Sequence, residues 1–168
     1  MKELKIIALS DTHMPRMAKG LPSMLVKELM DADLILHAGD WQTEAVYAEP
    51  SKFAAVDGVC GTVDKEELIE RFGMKKILEF CGFRIGLVHG HGRKGTTEQR
   101  ALAAFKEENL NLIIYGHSHI PVLKEIDGLT LLNPGSPTDK RRQPYYSFAI
   151  IRIGEEMNVE HVYYQSKT

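Results

Sequence analysis

Cysteine is scarce: Cys60 and Cys81 are the two in 168 residues. Two thiols make neither a disulfide framework nor a four-cysteine zinc site. No apolar run reaches the roughly 18 residues that a membrane span needs. The apolar stretch Leu4–Leu9 is too short for a secretory signal, so a cytoplasmic protein is expected. Charge of one sign is lacking as well. Lys and Arg number 21 against 23 Asp and Glu, a net charge of −2. That balance excludes a broad cationic grip on long nucleic acid or anionic lipid. No repeat, low-complexity tract or Pro/Gly/Ser linker divides the chain. A single domain over residues 1–168 is expected, long enough to bury roughly 70% of its unfolded surface without staples.

The chain reads as alternating strands and helices, then strands alone. Leu4 to Leu9, Leu34 to Ala38, Phe53 to Val59 and Leu112 to Tyr115 are short apolar runs, as in strands covered on both faces. Helical spacing spans Pro22 to Met30, Gln42 to Ala48 and Thr97 to Glu108, the last after a polar start at Thr96-Thr97-Glu98. Ile77 to Phe80 and Arg84 to Val88 form a hairpin about Cys81-Gly82. Val122 to Ile126 and Leu129 to Leu132 flank Asp127-Gly128, a strong hairpin signal. Tyr146 to Ile153 and Met157 to Tyr164 flank a turn at Gly154. The later strands read as antiparallel. The pattern predicts an α/β protein with two sheets face to face and helices outside.

The chemistry sits just beyond the strand ends. Asp11 and His13 follow the first strand, and Gly39-Asp40 the second. Gly61-Thr62-Val63-Asp64 follows the third, His89-Gly90-His91 a later one, and Gly116-His117-Ser118-His119 the strand ending at Tyr115. Where parallel strands end together, such residues converge on one edge, where ligands bind. Each piece alone has a bland reading: Gly-Asp after a strand is most often a turn. Independent turns would not place Asp, His, Asp, His, His and His at successive strand ends.

Imidazole and carboxylate without thiolate suit Mn, Fe, Zn, Ni or Co, with Mn the first expectation. Six ligands exceed the needs of one ion with an open position, so two divalent ions are expected. Two such ions about 4 Å apart repel by roughly 15 to 20 kcal/mol at an effective dielectric near 20. Anions must lie between them; Asp40 is the best bridging carboxylate, and a water-derived hydroxide a natural second bridge. Four positive charges against Asp11, Asp40 and a hydroxide leave about one positive charge. Such a site attracts a phosphate ester.

Asp11-x-His13, Gly39-Asp40, Gly61-x-x-Asp64, His89-Gly90, Gly116-His117-Ser118-His119 and Asn133-Pro134-Gly135-Ser136 together resemble the calcineurin-like metallophosphoesterases, in their small bacterial and archaeal phosphodiesterase branch. The resemblance implies a four-layer α-β-β-α sandwich of two mixed sheets and a dinuclear site at one edge. It places Asp11, His13 and His119 on one metal, Asp40 as the bridge, and His89 and His117 on the second. It implies hydrolysis of a small phosphate ester by direct hydroxide attack, and a homodimer or larger assembly. Thr62 stands where the family usually has Asn, a second-metal and phosphate ligand. Val63 stands where larger phosphatases of the superfamily carry a proton-donating His. Leaving-group protonation then falls to His91 or is unnecessary for good leaving groups. The rival reading is a non-catalytic interaction scaffold on the same fold with a degenerate metal site, which Thr62 feeds.

Other residues have plainer readings. His37 reads as a core or supporting histidine, Asp64 as a loop cap, Asn133 as a brace for its own turn, and Cys60 as packing. Trp41 packs beside the site or at an interface. Arg93, Lys94 and the run Lys140-Arg141-Arg142 read as solvated surface, with the second run able to approach the site.

Overall fold

The structure is a computed structural model that describes residues 2–168. Ten strands and four helices follow in the order β1 (Leu4–Leu9), α1 (Ser23–Leu29), β2 (Leu34–His37), α2 (Ala45–Ser51), β3 (Ala55–Gly58), α3 (Glu66–Phe72), β4 (Lys75–Phe80), β5 (Phe83–Val88), α4 (Thr97–Ala104), β6 (Leu112–Ile114), β7 (Val122–Ile126), β8 (Leu129–Asn133), β9 (Tyr146–Ile153) and β10 (Met157–Tyr164). They build two five-stranded sheets, β10-β9-β1-β2-β3 and β4-β5-β6-β8-β7. Both are mixed. In the first, β1, β2 and β3 are parallel and β9 runs against β1. In the second, β5, β6 and β8 are parallel, with β4 and β7 antiparallel at the edges.

Period-two alternation splits each central strand between two cores. Ile6, Ala8, Leu36 and Ala38 face Ile85, Leu87, Ile114 and Leu132 across the sheet-sheet interface. The alternate residues Ile7, Leu9, Ile35 and Ile150 pack beneath Leu25 and Leu29 of α1. Leu68 and Phe72 of α3 close over Trp41, Val46 and Cys60. On the far side, Ala101 of α4 and Phe105 cover Ile113, Tyr115 and Leu131. The four layers are thus α-β-β-α, as expected. Among the described residues no helix is long and apolar enough to cross a membrane.

Several expectations need correction. Helix α3 was not foreseen; its buried contribution is confined to Leu68 and Phe72, too sparse for a helical stripe. Helix α2 begins at Ala45 instead of Gln42, because Gln42 has φ 95° and gives its N–H to Asp64. The third strand begins at Ala55; Phe53 is still turning, its N–H bonded to the Pro50 carbonyl at 2.9 Å. Helix α4 stops at Ala104 instead of Glu108, where Phe105 (φ −121°, ψ 20°) leaves the helix and joins the core. Strand β8 is antiparallel to β7 as expected, but its other neighbour, β6, is parallel.

Candidate metal centre

Parallel strands that end together deliver their following loops to one place. β1 delivers Asp11 and His13, β2 delivers Asp40, β5 delivers His89, and β6 delivers His117 and His119. The ligand atoms of Asp11, His13 and His119 lie within 4.8 Å of one another, as do those of Asp40, His89 and His117. The two groups adjoin. Asp40 Oδ2 is 3.0 Å from His89 Nε2 and 3.7 Å from His13 Nε2, so it stands between them. Asp11 Oδ1 is 3.7 Å from both His89 Nε2 and His119 Nε2. Asp40 therefore lies between the two groups.

The backbone is forced into this shape. Five of the six residues, Asp11, His13, Asp40, His117 and His119, have φ between 45° and 73°. Non-glycine residues rarely adopt this left-handed conformation, and where they do it concentrates at functional sites. Hydrogen bonds hold it. Asp64 accepts from the N–H groups of Asp40 (2.8 Å), Gly61 (2.7 Å) and Gln42 (2.8 Å), so it caps the loops. Ser136 Oγ donates to the Asp11 carbonyl at 2.7 Å and Thr138 Oγ1 to the Thr12 carbonyl at 2.5 Å. Space is equally constrained. A Cβ on Gly61 would lie 2.3 Å from Asp40 Oδ1, and one on Gly116 1.8 Å from Ser10 Oγ.

Both carboxylates are tied to protein. Asp11 Oδ2 accepts from Ser10 Oγ (2.9 Å) and the His117 N–H (3.0 Å). Asp40 Oδ1 accepts from the Val63 N–H at 3.1 Å. The imidazoles are oriented as well. His89 Nδ1 donates to the Ala38 carbonyl at 2.8 Å and His119 Nδ1 to the Asp139 carbonyl at 2.5 Å. A neutral ring that donates at Nδ1 carries its lone pair at Nε2. Those lone pairs face carboxylate oxygens, and like acceptors do not face one another without something positive between.

Among the described residues, seven buried side-chain polar atoms have no hydrogen-bond partner: Asp11 Oδ1, His13 Nε2, His89 Nε2, His117 Nδ1, His119 Nε2, His91 Nδ1 and Gln42 Oε1. Five belong to the candidate ligands. Buried polar atoms in folded proteins are nearly always paired. Lone pairs gathered at one point, with oriented rings behind them, fit divalent cations. The charges are coupled: burial lowers His89, but the adjoining Asp40 and Asp11 carboxylates outweigh it and raise it, so with no cation present its ring pairs with Asp40 as an imidazolium. Burial pushes the Asp11 carboxyl up to about 7, against the opposing charge of His89. Burial also raises Asp40, but the His89 imidazole beside it outweighs that and holds the carboxyl below the usual range. Burial lowers His13, His117 and His119.

His91 stands at the side of this cluster, its ring 5.6 Å from His89 and 6.5 Å from His117. Thr62 is exposed at the rim, its hydroxyl 3.3 and 3.2 Å from the two Asp40 oxygens. His37 is buried away from the ligand atoms and stacks on Trp41 at 4.2 Å; Trp41 donates to the Val59 carbonyl. Asn133 donates to Ser118 Oγ (3.0 Å) and the Gly116 carbonyl, and accepts from the Gly135 N–H. Cys60 is core, with burial pushing its thiol up to about 12. Arg93 and Lys94 are exposed. Sequence reasoning missed the supports Ser10, Thr138, Asp139 and Arg100, and placed Ser136 in a motif without giving it a role. Arg100 donates to the Gly90 carbonyl (2.8 Å) and the Gly95 carbonyl (2.7 Å), bracing the loop of His91. Gln42 was also missed.

A two-sheet sandwich with paired carboxylate-imidazole groups at the strand ends defines a metal-dependent hydrolase class. The chain belongs to the calcineurin-like phosphoesterase superfamily, whose domain profile matches residues 4–156. It is 36% identical over 155 residues to a probable metallophosphoesterase of Methanothermobacter thermautotrophicus, covering 90% of this chain and 88% of that one. Among solved structures, Vps29 of Entamoeba histolytica (single mutant) superposes with TM-score 0.77 at 22% identity, covering 96% of this chain and 99% of that one. A novel archaeal phosphodiesterase superposes with TM-score 0.74 at 21% identity, covering 96% and 100%.

Proposed function

We propose that the chain is a cytoplasmic phosphodiesterase acting on a small phosphate ester through two divalent ions. The observation that carries this reading is the cluster of unpartnered lone pairs on Asp11, His13, His89, His117 and His119. Asp11, His13 and His119 would hold one ion, His89 and His117 the other, and Asp40 both. Such a pair, manganese before Fe, Zn, Ni or Co, supplies an acidified water and positive charge for the phosphoryl oxygens. In the reaction a water-derived hydroxide would add to phosphorus as the ester P–O bond breaks, and the leaving oxygen would depart as an anion or take up a proton. Thr62 steadies the Asp40 carboxylate from the rim. His91, with Nδ1 buried and unpartnered, contacts the ester and handles the leaving-group proton. A histidine donor at position 63 is replaced by Val63, which favours diesters with good leaving groups over monoesters. The archaeal phosphodiesterase of the same fold is consistent with that preference.

The test is turnover of bis(4-nitrophenyl) phosphate with Mn²⁺, beside 4-nitrophenyl phosphate. Asp40→Asn is expected to lose at least a hundredfold in rate, and equal rates in the two proteins would refute the mechanism. The second reading, an interaction scaffold, rests on the fold likeness to Vps29. A chain that takes up no transition metal and hydrolyses neither ester would favour it.

A further inference from the structure

β9 enters and β10 leaves at the pole that carries the metal centre, because β9 runs against β1 and β10 against β9. Two tyrosines stand there in the open. Tyr145 is 42% exposed and Tyr163 51%, and their rings meet edge to face at 6.1 Å. His161 stacks on Tyr163 at 5.5 Å. This platform is tied to the ligand loop: His161 Nε2 donates to the Asn133 carbonyl at 2.8 Å, and Asn133 Nδ2 donates to Ser118 Oγ, between His117 and His119.

The segment leading into Tyr145 is Lys140-Arg141-Arg142-Gln143-Pro144, three adjacent cations on a chain of net charge −2. Lys140 lies over the Tyr146 ring, whereas Arg142 is exposed. Arg141 is held at φ 51°, its side chain 56% exposed and its Nε 4.0 Å from Asp139 Oδ2. Asp139 is the residue whose carbonyl fixes His119. A largely exposed cation, only loosely paired with Asp139, beside the candidate metal centre and followed by exposed aromatic faces, is the arrangement that reads single-stranded nucleic acid: charge tracks the backbone and bases stack on the rings.

We propose that this flank is a subsite for a short single-stranded oligonucleotide, with Arg141 meeting a phosphate beyond the scissile one and Tyr145 and Tyr163 offering a face to a base. The inference rests on the phosphodiesterase reading for its purpose, and its binding test does not need turnover. Fluorescein-labelled hexathymidylate is titrated into metal-free protein in EDTA, with anisotropy as the readout. Arg141→Ala and the double variant Tyr145→Ala/Tyr163→Ala are each expected to bind about tenfold more weakly, the scale of one base stack or one charge contact. Tyr145→Phe/Tyr163→Phe keeps the ring faces and is expected to restore binding. With Mn²⁺, the preference for hexathymidylate over bis(4-nitrophenyl) phosphate should fall about tenfold in the alanine variants.

Wild-type protein that does not bind hexathymidylate, or variants that bind it equally well, would overturn the subsite. So would a change in mass on light scattering in the tyrosine variants, since the platform would then join two copies of the chain. Oligonucleotide binding that depends on these residues, without turnover of either ester, upholds the subsite and sinks the phosphodiesterase reading instead.

Discussion

His37→Leu removes a ring that ties three candidate ligands together without touching a ligand atom. The ring accepts the Gly39 N–H at Nδ1 (3.1 Å), so neutral His37 carries its proton at Nε2 and donates it to Thr12 Oγ1 (3.0 Å). Thr12 lies between Asp11 and His13, and Gly39 precedes Asp40. Leucine would leave the buried Gly39 N–H unpaired, at about 1–3 kcal/mol. It would also forfeit the stack on Trp41, worth about 0.5–1.5 kcal/mol. Thr12 keeps its own donation to the Trp41 carbonyl and loses less. Together the loss is roughly 2–4 kcal/mol, which a domain of ordinary stability survives. Urea denaturation of the metal-free protein measures it, and His37→Gln, which keeps a donor and an acceptor, should recover part. Relaxed loops should also weaken Mn²⁺ binding by about 10- to 100-fold in calorimetry. A His37→Leu protein within 0.5 kcal/mol of wild type, binding metal as tightly, would refute the idea that this ring braces the centre.

Gly61→Ala and Gly116→Ala should each cost about 1–3 kcal/mol and lower the metal stoichiometry in elemental analysis, because the added methyl overlaps Asp40 or Ser10; full occupancy in both would show that the loops yield cheaply. Burial holds His37 well below its ordinary value near 6.5, so the unfolded chain takes the proton first. That contribution is complete above about pH 6.5 and is lost as pH falls below it, up to about 1.4 kcal/mol per pH unit. The acid limb of a stability profile should therefore be shallower in His37→Gln, and parallel limbs would contradict the assignment. Arg100→Lys cannot reach both carbonyls in a fork. Amides of residues 90–95 should exchange faster in that variant, and unchanged protection would mean the loop holds itself.

The strands were legible because burial on both faces writes itself as runs such as Lys5-Ile6-Ile7-Ala8-Leu9. The clustered Asp and His residues were legible because parallel strands in each of the two sheets convert order along the chain into proximity in space. The parallel pairing of β6 with β8 was hidden, since the Asp127-Gly128 turn speaks only for the local hairpin. Helix α3 was hidden because two apolar contacts do not make a period. The supports were hidden for a different reason. Ser136 reaches Asp11 across 125 residues and Thr138 reaches Thr12 across 126. Serines and threonines in turns look alike until the fold selects their partners. Thr12 and His37 are likewise ordinary in sequence, and become a brace only when β1 and β2 lie side by side.

The left-handed backbone at Asp11, His13, Asp40, His117 and His119 changes what a mutant there reports. Aspartate, asparagine and histidine visit that region several times more readily than other side chains, and alanine is poor in it. An alanine scan would thus charge to coordination a loss that belongs to chain geometry. Asparagine keeps this backbone while removing the charge or the ring, so in the metal-free protein the stability gap between the Asn and Ala variants would measure how much torsional discomfort these positions carry.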